Sequence, residues 1–311
     1  WQYGKVLPAE RALPQPFSCA LNPHLFMGQD TRKSDSVSNY VDVDGIRTHY
    51  LDAGEGPVVV LLHSGEYGAC AEISWEYNLE VLAKHFRVVA PDWLGYGRTD
   101  KVYRFNDARA FVYRHLQRFL ALLCIEKADF IGNSMGGTNL IGIAAGQPEM
   151  LPIRSLIICG GGGFAPHNAH RQAMLEYDGS DEAMGRLLNA MMHDAKWSED
   201  ASYIAKRQVF AKMPGAWENT SAARFKSPFA EARPEFGRKD ETPYEQVAFP
   251  TMIIAGREDK LREPNYADAM AARVPNCELH VIEECGHCPN IERPEIVNPL
   301  MVDFLKRQHV E

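Results

Sequence analysis

Apolar residues in this chain come mostly in unbroken runs, not in alternation. Val58 to Leu62 is five apolar residues in succession, the pattern of a strand buried on both faces of a parallel sheet. Phe86 to Ala90, Arg154 to Cys159, Thr251 to Ala255 and Glu278 to Ile282 read the same way, and Phe130-Ile131 closes a shorter strand of this kind. Tyr40 to Val43 and Ile46 to Leu51 flank Asp44-Gly45, a hairpin signal. Between the strands the period changes to that of a helix. Asn106 to Leu123 carries apolar residues at 108, 111, 112, 116, 119, 120 and 123 behind Asn106 as a cap. Further helices are expected from residue 135 to about Gly146, over 264–273, and from Pro294, at a first turn, to Arg307. Strand–helix alternation predicts an α/β fold: a mostly parallel central sheet with helices on both faces.

The alternation fails twice. Residues 1–37 are Pro-rich and polar without a period and read as an extended arm. Residues 164–246 are helical in pattern, rich in Met, and broken by Pro214, Pro228, Pro234 and Pro243. They read as a helical lid inserted into a core domain of residues 38–163 and 247–311. Trp197, Met191, Met192, Phe210, Met213 and Trp217 are candidate walls of an apolar cavity beneath it.

Composition narrows the possible partners. The 311 residues carry a net charge of −8 with no basic run, which argues against nucleic acid. No apolar run is long enough to cross a bilayer. The seven cysteines are scattered, and Cys124 and Cys159 sit inside apolar runs as core residues. No disulfide framework and a cytoplasmic location are therefore expected. Cys285-Gly-His-Cys288 lacks a second pair and makes a poor zinc site. A small-molecule substrate, with no metal, fits this picture.

The candidate chemistry centres on Gly132-Asn133-Ser134-Met135-Gly136-Gly137. A strand runs into Gly-x-Ser-x-Gly and a helix follows, which forces the serine into a strained turn and holds its hydroxyl clear of the backbone. A serine hydroxyl needs a base, and the base needs an orienting carboxylate. Asp259, just past the strand 251–255, and His287, just past 278–282, lie at strand ends that emerge on one edge of a parallel sheet. Glu258 is the rival acid, and Asp259 is favoured. Oxyanion donors are expected from the Met135 N–H and from Gly65 in the loop His63-Ser64-Gly65-Glu66-Tyr67-Gly68.

With those residues in view, the chain resembles the α/β-hydrolase fold over about residues 38 to 308. The order Ser134, Asp259, His287 is that fold's order. Within it, Gly132 to Gly137, His63-x-Gly65, Gly256-Arg257-Glu258-Asp259 and Glu284 to His287 look most like the meta-cleavage product hydrolases, which split carbon–carbon bonds in ring-fission products of aromatic degradation. The resemblance implies a cofactor-free Ser134–His287–Asp259 triad and allows a homodimer. It implies substrate contacts from Asn133 and from Arg207 in the insertion, a guanidinium suited to a carboxylate. His63, Ser64 and Trp217 complete the expected contacts, with Cys288 standing where the family has Trp. Cys288 departs from the pattern at the substrate pocket, and so does the loop Ser64-Gly65-Glu66-Tyr67-Gly68 with the longer Ala69 to Trp75 segment after it, where the family loop is Gly-rich with Pro. A buried Glu66, Glu72 or Glu76 would disfavour an anionic substrate, although two of these at least are expected on the surface. The alternatives are a carboxylesterase or lactonase using the same triad, and a hydrolase-like ligand receptor with very slow turnover.

Overall fold

The long apolar runs become the strands of one eight-stranded sheet in the computed structural model, which describes residues 36–225, 237 and 239–310. The expected arm over 1–37 lies almost wholly outside these. The strands are β1 (Val37–Val43), β2 (Ile46–Ala53), β3 (Val58–Leu62), β4 (Arg87–Pro91), β5 (Ala128–Asn133), β6 (Ile153–Cys159), β7 (Thr251–Gly256) and β8 (Cys277–Ile282). Their order is β1-β2-β4-β3-β5-β6-β7-β8, with β1 and β2 antiparallel to their neighbours and all the rest parallel. The β1–β2 hairpin turns at Asp44 and Gly45, with φ of 53° and 86°, the paired positive angles of a two-residue hairpin turn.

The unbroken apolar runs now have a physical reason, because successive residues enter two separate cores. Val60, Leu62, Phe130, Leu156, Ile158 and Ile253 pack on one face, and Val59, Leu61, Ile131, Ile157, Met252 and Ile254 on the other. Helix α1 (Ala71–Ser74) and α2 (Leu79–Ala83) lie between β3 and β4, and α3 (Ala108–Leu122) and α4 (Met135–Gly146) flank β5. The sheet is followed after β6 by α5 (Ala169–Leu175), α6 (Asp181–Met191), α7 (Lys196–Glu199), α8 (Ala201–Ala211) and α9 (Ala216–Ala222), and later by α10 (Tyr266–Ala271), α11 (Pro289–Glu292) and α12 (Pro294–Arg307). The first core draws on α3, α4 and α10 and the second on α1, α2 and α12.

Some local expectations need correction. The cap of α3 is Asp107, not Asn106, and it makes no side-chain cap bond. Cys159 is a core residue, but Cys124 is exposed at a φ of 53° just past α3 and is disulfide-bonded. That removes the argument for a reducing compartment. Among the described residues no helix is long and apolar enough to cross a membrane.

Helices α6 and α8 build a cluster of their own from Met184, Leu187, Leu188, Met191 and Tyr203 with Tyr177 of the α5–α6 loop, and Met174 of α5 and Trp197 of α7 pack against it. Tyr67, Leu261 and Cys288 join that cluster from three different loops of the sheet's edge. Met191, Met192 and Phe210, offered as cavity walls, are instead buried in packing.

His115 on α3 is buried, with its Nε2 2.9 Å from the Thr48 hydroxyl. Burial pushes its pKa down to about 4, only partly opposed by Asp44. The unfolded chain takes a proton near 6.5 and the folded chain resists until about 4, so stability should fall as pH drops through that window. Urea midpoints measured from pH 7 to 4 should decline more steeply for the native chain than for His115→Gln; parallel curves would refute this.

Candidate active site

The register aligns the strand ends that carry the site. Leu62 pairs with Gly132, Asn133 with Cys159, and Gly256 with Ile282. Strand order reverses between β3 and β5, the switch point where open α/β sheets bind ligands. The loop after β3 and the turn after β5 therefore meet there.

Ser134 forms that turn, at φ 49° and ψ −109°. Such a backbone costs a non-glycine residue about 1–3 kcal/mol and has to be imposed by its surroundings. A Cβ on Gly132 would stand 2.5 Å from the Gly137 nitrogen, and one on Gly136 only 2.1 Å from the Leu62 carbonyl oxygen. Strands β5 and β3 and helix α4 thus pass with backbone against backbone. The Ser134 N–H donates to Cys159 O at 2.8 Å, and the Thr138 N–H to Ser134 O at 2.8 Å.

Ser134 Oγ lies 2.7 Å from His287 Nε2, and His287 Nδ1 lies 2.7 Å from Asp259 Oδ2. The imidazole and carboxylate are each 2 % exposed. An ionised carboxylate only accepts, so Nδ1 carries the ring proton and Nε2 is left to accept from the serine hydroxyl. Burial opposes ionisation of Asp259, but the His287 ring, its hydrogen bond and the Arg262 guanidinium outweigh it and hold the carboxyl below the usual range. The Leu261 N–H adds a bond to Asp259 Oδ1 at 2.8 Å. Glu258 accepts instead from the Cys285 N–H at 2.9 Å and braces the histidine loop. That loop is held from above as well, since the His287 N–H donates to Met191 O at 2.7 Å. Glu292, which the sequence reading missed, takes the N–H groups of His193 and Cys288 at 2.7 and 3.2 Å.

Met135 is the first residue of α4, where backbone N–H groups lack intrahelical partners and favour negative charge. Gly65 lies against it, for a Cβ there would meet Met135 Sδ at 2.5 Å. A recess of about 280 Å³ lined by Trp93, Tyr96, Phe111, Tyr113 and Met135 adjoins this helix start.

A second Ser–His–Asp line makes the contrast clear. Ser38 Oγ is 2.8 Å from His49 Nε2, and His49 Nδ1 is 2.7 Å from Asp92 Oδ2. Ser38 lies within the edge strand β1, with neither a strained turn nor a helix start beside it. Asp92 also accepts the N–H groups of Ala71 and Arg98, each at 2.8 Å, so this line pins loops together.

A family model described as the alpha/beta hydrolase family matches residues 59–300. The chain belongs to that family. Among curated relatives of this alpha/beta hydrolase, the 2-hydroxy-6-oxo-6-(2'-aminophenyl)hexa-2,4-dienoic acid hydrolase of Metapseudomonas resinovorans is 30% identical over 90% of this chain and 95% of its own. The 2-hydroxymuconate semialdehyde hydrolase of Pseudomonas sp. strain CF600 is 29% identical over 88% and 95%. In three dimensions the chain is similar to the meta-cleavage product hydrolase CumD from Pseudomonas fluorescens IP01, with a TM-score of 0.76, 28% identity and coverage of 86% and 97%. The protein is an enzyme of the alpha/beta hydrolase class, most like the meta-cleavage product hydrolases.

Most of the residues expected to contact substrate are engaged with protein partners in this hydrolase. Asn133 is sealed, with its amide on Cys159 O at 3.3 Å. His63 is buried and donates from Nδ1 to Ser64 O at 2.6 Å while its Nε2 accepts the Trp93 N–H at 2.9 Å; both nitrogens are committed, and burial lowers the pKa of the ring. The buried Ser64 hydroxyl is 3.1 Å from that of Ser74. Cys288 is buried, and burial together with the charges of Glu66 and Glu292 drives its thiol well above the usual range. Trp217 is 41% exposed on α9, its ring N–H on Tyr177 O. Arg207 is sealed against Glu66, its Nη1 2.7 Å from Oε1. Of the three acids, Glu66 is the buried one; Glu72 pairs with Arg98 and Glu76 with Lys206.

The close approach at Gly136 yields a test. Gly136→Ala should lower stability by about 1–3 kcal/mol in denaturant titration and reduce hydrolysis with it. Unchanged stability and activity would show that the turn tolerates the extra methyl.

Proposed function

We propose that this hydrolase cleaves a carbon–carbon bond of a vinylogous 1,5-diketone of the meta-cleavage type, through an acyl-enzyme on Ser134. The observation that carries the reading is the unbroken line from Ser134 through His287 to Asp259 at 2.7 Å and 2.7 Å beside the start of α4. The names of the relatives support the bond type.

In this reading the dienol first ketonises, so that an sp³ carbon separates the ketone from the rest of the chain. His287 takes the Ser134 proton as the oxygen adds to the ketone carbonyl. The N–H groups of Met135 and Gly65 hold the oxyanion. Its collapse breaks the carbon–carbon bond, the departing carbanion leaving as a stabilised dienolate that takes up a proton. Water, activated by His287, then hydrolyses the acyl-enzyme and returns Ser134 and an acid. Helices α5 to α9 serve as the lid: Tyr67, Leu261 and Cys288, beside the three parts of the machinery, pack into their cluster. The recess beside Met135, lined mainly by aromatic and aliphatic side chains with Arg104 and Arg109 among them, is placed to take the body of such a substrate.

A second reading, hydrolysis of an ester or lactone by the same residues, is favoured by the sealed Glu66–Arg207 pair. An alkoxide leaves more readily than a carbanion, so this route needs no ketonisation.

Ser134→Ala should lower turnover by on the order of 10⁴-fold or more without changing the circular dichroism or melting temperature. Full activity in a folded variant would reject the assignment. The ratio of kcat/KM on the carboxamide of a ring-fission dienoate, which keeps the ketone and lacks the free carboxylate, to that on a p-nitrophenyl ester should favour the carboxamide; a ratio below one selects the second reading.

A further inference from the structure

Glu66 immediately follows Gly65, and Arg207 lies on α8, so their ion pair joins the loop after β3 to the inserted helices. The two side chains are 0 % and 2 % exposed, for Arg207 and Glu66 respectively. Beyond Glu66, the guanidinium contacts the Tyr203 hydroxyl at 3.5 Å. Burial opposes ionisation of Glu66, but the adjacent Arg207 charge and hydrogen bond outweigh it and keep the carboxyl below the usual range. Cys288, which follows His287, lies within electrostatic reach of both partners. Glu66 follows Gly65 in the chain and Cys288 follows His287, so the pair lies next to residues of both the oxyanion side and the histidine side. Loop and helix are also in backbone contact, because a Cβ on Gly68 would lie 2.7 Å from the Arg207 carbonyl oxygen. The pair cannot easily be prised apart by an incoming group.

A pair closed in this way carries no net charge. An arriving carboxylate would find the guanidinium charge already neutralised by a second carboxylate beside it, although Arg207 Nε has no hydrogen-bond partner among the described residues. Two carboxylates sharing one guanidinium in a buried site cannot both remain ionised without cost. A ketone or ester carbonyl meets no such obstacle.

Resting on the acyl-enzyme reading above, we propose that Glu66 is a specificity-determining residue: it is a built-in carboxylate that occupies Arg207, so the hydrolase selects substrates uncharged beside this pair and rejects those presenting a free carboxylate there. In this respect the chain's substrate differs from the dienoates named for its relatives. The end that would otherwise seek Arg207 is a neutral group such as an ester, a ketone or a hydrocarbon.

The test compares p-nitrophenyl butyrate with mono-p-nitrophenyl succinate, which share a leaving group and a four-carbon acyl chain and differ in terminal charge. Hydrolysis in each case adds water across the ester and releases p-nitrophenol and the acid. The native enzyme should favour the butyrate in kcat/KM by about tenfold or more. Glu66→Gln leaves Arg207 unpaired and should narrow that preference by about tenfold, mainly through a lower KM for the succinate. Glu66→Gln with Arg207→Gln removes both charges and should lose that gain. Binding of both esters to the Ser134→Ala protein, followed by calorimetry, reads the same charge preference without turnover. Charge-selective binding with no turnover by the native enzyme would therefore count against the acyl-enzyme reading and leave the role of Glu66 standing. A native enzyme that binds or hydrolyses the succinate as well as the butyrate overturns the proposal even if Glu66→Gln does not fold. A folded Glu66→Gln with an unaltered preference overturns it too.

Discussion

The backbone of Ser134 is held where a side-chain-bearing residue does not settle by itself, and the rest of the site depends on that hold. At φ 49° and ψ −109° the residue is strained. The compensation is spread over a large area: three hydrogen bonds to its own main chain, glycines at 132, 136 and 137 that admit direct backbone contact, and the apolar faces of β5 sealed on both sides. The return is geometric. The hydroxyl stands at the start of α4, within 2.7 Å of His287. The imidazole in turn depends on β7 and β8 running in register, so that Asp259 and His287 leave the same edge. The comparison with Ser38 shows what the turn adds. An equally well-formed Ser–His–Asp line placed in an ordinary strand has no preorganised donors next to it.

Around this centre, charged groups are neutralised or held by partners inside the protein. Asp259 answers His287 and Arg262, Glu292 holds two backbone N–H groups, and Glu66 closes on Arg207. The inserted helices take part in this through Met191, His193 and Arg207. Loss of one partner in such a network leaves a buried charge uncompensated, which is costlier than the net worth of the bond. The histidine loop and the inserted helices are therefore mechanically coupled.

How much of this the sequence disclosed follows from the range of the interactions involved. Strands β3 and β7 were legible almost to the residue because a strand buried on both faces must be apolar at every position. Ser134, Asp259 and His287 were legible because each is marked by its own local context, a strand end followed by a tight turn. The short helices α1 and α2 were not, since four and five residues leave no period to detect. The substrate contacts proved least legible. Arg207 and Glu66 are 141 residues apart, and nothing near either one announces that they seal each other. His63 gives no sign that Trp93 will occupy its ring, and Cys124, in an apolar run, gives none that it is exposed and disulfide-bonded. Burial of a polar side chain is decided by distant partners, and a linear pattern does not carry that information.

The central claim is that the strained serine is the nucleophile. Reaction with a fluorophosphonate, followed by intact mass and peptide mapping, tests it most directly. The account predicts one adduct per chain on the peptide containing Ser134, appearing in step with the loss of activity. An adduct on the peptide containing Ser38, or full inactivation with Ser134 unmodified, would contradict it.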